Sequence, residues 1–234
     1  MPFRPYHQFQ NRASLETVIA ELKAAGNITD TAYNGFHRYH PAMMHKLRSA
    51  KYHVDNLTEK LSTTNVQEAA DATSYFMFEV NMFIDGFFYN AGSSMDILAR
   101  VVLTLFGQPL TGNIYFNTAH TRINQAKPND PILPRLELPP WRQCFSDYRN
   151  TLTHELILAS RYHIDIDNTG PKQVTRIVFP LPDDPRAEPT ARNYKQNPNV
   201  VDYATSHFRR ILSMGNIIYG DIVTRARASG VLPL

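Results

Sequence analysis

The stretch WRQCFSDYRNTLTHELILAS, residues 141–160, decides the fold class. Its apolar residues Trp141, Phe145, Tyr148, Leu152, Leu156 and Ala159 recur at intervals of three and four, the period of one helix face. Pro139 and Pro140 stand immediately before it, where a fixed φ and a missing N–H are tolerated in the first turn. The spacing predicts a helix with one buried stripe. At about 100° per residue, that stripe leaves Asn150 and His154 about 40° apart on the opposite side, with Arg149 on the shoulder. A guanidinium, an amide and an imidazole therefore share the uncovered part of one helix.

Working outward, the helical period extends over most of the chain. Met1 to Ala13 has no period and reads as a loose arm; Ser14 then reads as the cap of a helix with Leu15, Val18, Ile19 and Leu22 on one face, ending at Gly26. Asn27 to His40 reads as a connection containing Gly35, and Pro41 as the opening of a second helix that reaches about Leu61. Val66 to Phe106 is the longest helical signal. Unbroken, it would measure about 60 Å, so a kink or break is expected near Gly86 or Gly92. Phe76, Phe78, Met82, Phe83, Phe87 and Phe88 make it apolar almost all round, which suits a helix buried among others or at a subunit interface. A polar line runs through it: Asn81, Asp85 and Tyr89 at steps of four, continued by Ser93, Asp96 and Arg100.

Gly107 to Pro140 carries prolines at 109, 128, 131, 134, 139 and 140 and reads as an ordered crossover with one short helix around Ala119 to Ala126. Beyond the 141–160 helix, Tyr162 to Asp167 alternates at period two, Asn168 to Pro171 reads as a turn, and Gln173 to Phe179 as a returning strand. Pro180 to Pro198 reads as a loop. Asn199, with Asp202 three residues on, caps a last helix that runs to about Ala228 before Gly230. The fold class expected is mainly α, an up-and-down helical bundle with an N-terminal helical hairpin and a small β-hairpin insertion. Residues 1–62 make the arm and hairpin, and 63–234 the bundle, with the crossover at 107–140 and the insertion at 161–199.

With 234 residues and 43% hydrophobic content, the chain can bury a core without covalent staples. The single cysteine, Cys144, forms no internal bridge and reads as a packing residue, so a reducing cytoplasm is the expected compartment. No apolar run reaches the roughly 18 residues of a membrane span. The net charge of +3 is a mild excess that permits an acidic partner. The stretch His37 to His53 concentrates His37, Arg38, His40, His45, Lys46, Arg48, Lys51 and His53. No carboxylate or thiol interleaves His45 and His53 to complete a metal site, so no metal and no cofactor are expected there. The stretch reads as a solvated basic face, or as a phosphate-tracking surface in which Lys46, Arg48 and Lys51 bind substrate.

Arg149-Asn150-Thr151-Leu152-Thr153-His154, read R-N-x-x-x-H, resembles the signature of the HEPN superfamily, an α-helical group with many metal-independent ribonucleases. The bare arginine-to-histidine spacing also occurs at Arg48–His53 and Arg38–His45. The adjoining Asn150, the preceding Tyr148 and the amphipathic helix single out Arg149 and His154. Leu156 stands where several members of the family have a tyrosine. The resemblance implies a HEPN-like bundle, a homodimer that brings two motif helices together, and catalysis by Arg149, Asn150 and His154. It also implies a toxin or defence role, RNA as substrate and an antitoxin as possible partner.

The chemistry suits those side chains. Cleaving RNA internally needs a proton taken from the ribose 2′-OH, charge neutralised on the phosphorus, and a proton delivered to the departing 5′-oxygen. A guanidinium fork fits two phosphate oxygens and an imidazole titrates near neutrality. Asp85 or Asp96 is a candidate to orient His154. The competing readings are an RNA- or nucleotide-binding module without cleavage, and a structural or dimerisation domain in which Arg149 pairs with a carboxylate such as Asp147. Gly-rich phosphate loops and nucleophile elbows are absent from the sequence.

Overall fold

Helix α1, Asn11–Ala24, ends where the chain turns left-handed at Gly26, φ +73°. The Asn27 amide bonds the Leu22 carbonyl at 2.8 Å and the Gly26 amide that of Lys23 at 3.1 Å, which satisfies carbonyls the helix end would otherwise leave open. The computed structural model describes residues 9–71, 73–137, 139–154, 162–167, 174–195 and 199–232. Of these, 73% are helical and 5% lie in strands. The fold is mainly α with a two-stranded antiparallel sheet, as the periodicity predicts.

Two starts differ from the sequence reading. α1 begins at Asn11 rather than Ser14, where Asn11 is held by two bonds to Asn216: the Asn11 amide donates to Asn216 Oδ1 and Asn11 Nδ2 to the Asn216 carbonyl, both at 2.9 Å. Phe9 is buried, so the loose arm does not extend that far; residues 1–8 lie outside the described residues. α2 spans Asp30–Thr63, and Pro41, expected to open it, lies inside it. The opening signal is Thr29, whose Oγ1 accepts the Ala32 amide at 3.2 Å. Ala32, Phe36, His40, Met43 and Leu47 then give one buried face, a period the polar His40 hides in the sequence.

The remaining elements are α3 (Val66–Asp71), α4 (Thr73–Leu105), α5 (Phe116–Ala126), α6 (Leu133–Leu136), α7 (Pro140–His154), β1 (His163–Asp167), β2 (Val174–Val178) and α8 (Val200–Ser229). α4 runs through Gly86 and Gly92 without the expected break. β1 and β2 pair antiparallel with Asp165 opposite Arg176, as the alternation predicts. The expected turn at 168–171 and the continuation of the motif helix through Ser160 lie outside the described residues.

The chain divides into two compact units, each assembled from separated stretches. The first comprises residues 1–47, 91–139 and 209–234. Its core includes Phe36, Met43, Phe116, Tyr219 and Ile222, and at its centre a polar chain is buried. His40, 4% exposed, meets Glu16 Oε1 through Nε2 and Tyr219 Oη through Nδ1, each at 2.9 Å, with Phe36 stacked on its ring. A carboxylate accepts only, so Nε2–H donates to Glu16 and Nδ1 accepts from the tyrosine. The expected solvated basic face therefore does not include His40. Asp130 forks onto Arg225 at 2.6 and 2.9 Å and tethers the proline-rich crossover to α8.

The second unit comprises residues 48–90 and 140–208. Phe87, Phe88, Phe145, Tyr148 and Phe179 are fully buried in it. The hairpin leads into Phe179, whose ring lies 5.8 Å from Phe76 and 5.6 Å from Tyr162. α3 begins with a reciprocal cap between Asn65 and Glu68, each side chain bonding the other's amide.

In each unit α2 and α4 meet at a glycine. In the first, a Cβ on Gly35 would stand 2.3 Å from Thr104 Cγ2; in the second, one on Gly86 would stand 2.3 Å from His53 Cε1. Gly86 is thus a point of close approach rather than a break in the helix. Further along the second unit, Lys60 Nζ meets Glu79 Oε2 at 2.6 Å, so the α2 and α4 segments run antiparallel. We expect Gly86→Ala to destabilise the protein by about 1–3 kcal/mol through overpacking against His53. Urea denaturation would check this, with an unchanged midpoint as the contrary result.

Candidate functional site

Pro140 is the first residue of α7, and the helix lays down its apolar side as the sequence predicts. Phe145 packs on Phe87 and Phe88 with ring centroids 6.0 and 5.1 Å away, and Tyr148 lies 5.6 Å from Phe88 and 5.2 Å from Tyr203. The Tyr148 hydroxyl donates to the Pro182 carbonyl and Thr151 Oγ1 to that of Pro185 at 3.3 Å. The segment after Pro180 is therefore irregular but held: Leu181, Pro182, Pro185 and Arg192 are all buried, and Arg192 Nε bonds the Ala187 carbonyl at 3.2 Å.

With that side committed, Asn150 is exposed and Arg149 half-buried, one turn before the described end of α7 at His154. The side chain of His154 lies outside the described residues. Asp147 is engaged by Gln143 Nε2 at 3.0 Å and by Arg186 Nε at 4.0 Å. Burial first, with the nearby Asp147 charge adding to it, raises the Cys144 thiol above its ordinary value. Cys144 stays protonated at neutral pH, in keeping with a packing residue.

Asp96 belongs to the first unit and accepts the Phe116 amide at 3.2 Å, holding the start of α5. Asp85 belongs to the second and is exposed, yet desolvation pushes its carboxyl up to about 6. Tyr75, Phe78, Met82 and Tyr89, all exposed apolar residues of α4, fall at heptad spacing, and Asp85 occupies the one remaining seam position among them. Met82 three residues before and Tyr89 four after flank its carboxyl on the same helix face. The residues proposed to bind substrate are divided likewise: Lys46 lies in the first unit, Arg48 and Lys51 in the second, where Lys51 bonds Asp55.

Two residues of this unit escape the sequence reading. Arg142 is 5% exposed and stands seven residues before Arg149, within about 20° of it around the helix. The seven-residue spacing is the signal that could have found it. His207 is buried under α7, stacked on Tyr203 at 3.8 Å with Trp141 and Phe145 at 5.5 and 5.9 Å. Its Nδ1–H donates to the Tyr203 carbonyl at 2.9 Å. An aromatic four residues before a histidine on a capped helix marks such a stack. Comparison with protein-family models, curated proteins and solved structures found no match for this chain.

The raised Asp85 carboxyl has a definite sign. Its folded pKa exceeds the unfolded value, so its contribution to stability is complete below the unfolded pKa and is lost as pH rises through about 6. Asp85→Asn is expected to match the parent near pH 4 and to exceed it by about 1 kcal/mol at pH 7, a figure reduced for solvent screening at this exposed position. Melting curves across that range would show it. A difference that does not change with pH would contradict the assignment.

Proposed function

We propose that the chain is a metal-independent endoribonuclease of the HEPN kind, with a toxin or defence role, that cleaves RNA with Arg149, Asn150 and His154. The supporting observation is that α7 is continuous from Pro140 to His154, with its aromatic side buried and Asn150 left open, as the R-N-x-x-x-H reading requires. In the reaction, His154 takes the 2′-OH proton as that oxygen attacks phosphorus, and Arg149 neutralises the phosphorane. The P–O5′ bond breaks to leave a 2′,3′-cyclic phosphate and a 5′-hydroxyl, whose oxygen receives a proton from a second acid. Asn150 holds the ring or the substrate.

One histidine rarely serves as base and acid at once, so this reading includes a homodimer whose second copy supplies the other His154. The exposed seam Tyr75, Phe78, Met82, Tyr89 favours self-association: these residues repeat at a and d positions, with the two tyrosines seven residues either side of Met82. An antiparallel pair about Met82 would set each Tyr75 against the other copy's Tyr89.

The test is incubation of single-stranded RNA with the protein in EDTA, beside Arg149→Ala and His154→Ala. Cleavage to cyclic-phosphate ends that drops about a hundredfold or more in both variants is the expected result. Tight binding without cleavage, weakened by salt and by neutralising Lys46, Arg48 and Lys51, would favour a binding module instead. If the variants lower only the melting temperature while RNA is neither bound nor cut, Arg149 and His154 are structural. Light scattering of the parent and of Met82→Glu completes the test: we expect a dimer and a monomer, and a monomeric parent removes the two-histidine mechanism.

A further inference from the structure

A cleft of about 720 Å³ opens in the first unit between the start of α2 and the turn that follows α4. Its size falls within the roughly 300–1,000 Å³ that small-molecule sites occupy. It is a built feature. Gly35 leaves its floor without a side chain, and Arg122 clamps the far wall by donating to the carbonyls of Pro109 and, at 2.5 Å, Thr111.

The lining is mainly apolar, with Ala32, Tyr39, Pro109 and Leu110 along the walls, and no acidic side chain is among its described lining residues. Arg38 is its one charged member, 5.4 Å from the centre of the Tyr39 ring; Arg100 lies 6.0 Å from the same ring. Two guanidinium groups thus stand beside a flat wall. Asp30, in the first turn of α2, is taken by Lys23. In the floor, Thr104 is 6% exposed and its hydroxyl has no hydrogen-bond partner among the described residues, an uncommon condition for a buried polar group.

We propose that this cleft binds a small organic anion. A flat apolar body lies against Ala32, Tyr39, Pro109 and Leu110, and a carboxylate or phosphate monoester meets Arg38, whose fork suits either. An acceptor atom on the ligand supplies the partner that the Thr104 hydroxyl lacks, reached by rotation of its side chain. The site lies wholly within the first unit and does not depend on the ribonuclease reading, whose Arg149 and His154 belong to the second.

Calorimetric titration of the full chain tests it, with AMP and indole-3-carboxylate as the two anion sources and with inorganic phosphate and indole as their halves. At least one anion is expected to bind with Kd below about 1 mM, and each half about tenfold or more weakly than the whole. Which anion binds names the source. Arg38→Gln, at an exposed position, should weaken that binding about tenfold. Thr104→Val should keep or raise the melting temperature yet still weaken the ligand severalfold, a split that a purely structural threonine would not give. Absence of binding by both anions below about 1 mM, halves that bind as well as wholes, or variants that bind like the parent would overturn the proposal. So would AMP binding that is lost in Arg149→Ala but kept in Arg38→Gln.

Discussion

The close approach of α2 to α4 is the constraint on which each unit is built. In both, a glycine gives up its side chain so that a bulkier residue on the other helix can press against backbone: Thr104 on Gly35 in one, the His53 ring on Gly86 in the other. Dispersion falls off within an ångström of separation, so contact at this distance gains attraction that a methyl group would forfeit by forcing the helices apart. Burial at the contact carries its own cost. His53 keeps a ring nitrogen without a hydrogen-bond partner among the described residues, and desolvation lowers its pKa so that the ring stays neutral.

What the sequence reveals and what it hides follow from the range of the interactions involved. The apolar stripe over residues 141–152, the Asn199 cap, Gly26 and Gly230 as helix ends, and the alternation of the hairpin are local, and each is legible from a few residues. Most of the failures involve partners remote in sequence. Pro41 reads as a helix start until the Thr29 cap and the buried His40 are known, since a histidine bonded on both sides behaves as a core residue. Gly86 reads as a breaker because the pressure of His53 is invisible without the fold. Of the candidate site, the exposure of Asn150 on α7 is legible; the buried Arg142 and the aromatic stack on His207 are not, because both depend on what α7 packs against.

α7 also shows how one helix divides its labour. Aromatic rings and two hydroxyl-to-carbonyl bonds fix its inner side, so its orientation is set by groups that take no part in the proposed chemistry. Asp85, on a different helix, has the opposite character: its seam neighbours along α4 are apolar and exposed, and desolvation raises its pKa.

The Glu16–His40–Tyr219 chain limits how this sequence can drift. Glu16 looks like a replaceable surface residue, but it fixes Nε2 as the imidazole nitrogen that carries the proton, and so leaves Nδ1 to accept from a fully buried phenol. Losing the carboxylate frees the ring to invert its tautomer; losing the ring strands the phenol; losing the phenol leaves an acceptor nitrogen dry. Each single step is uphill, while an all-apolar trio would be a workable core. The arrangement is thus a local trap in sequence space, because its exits require coordinated change.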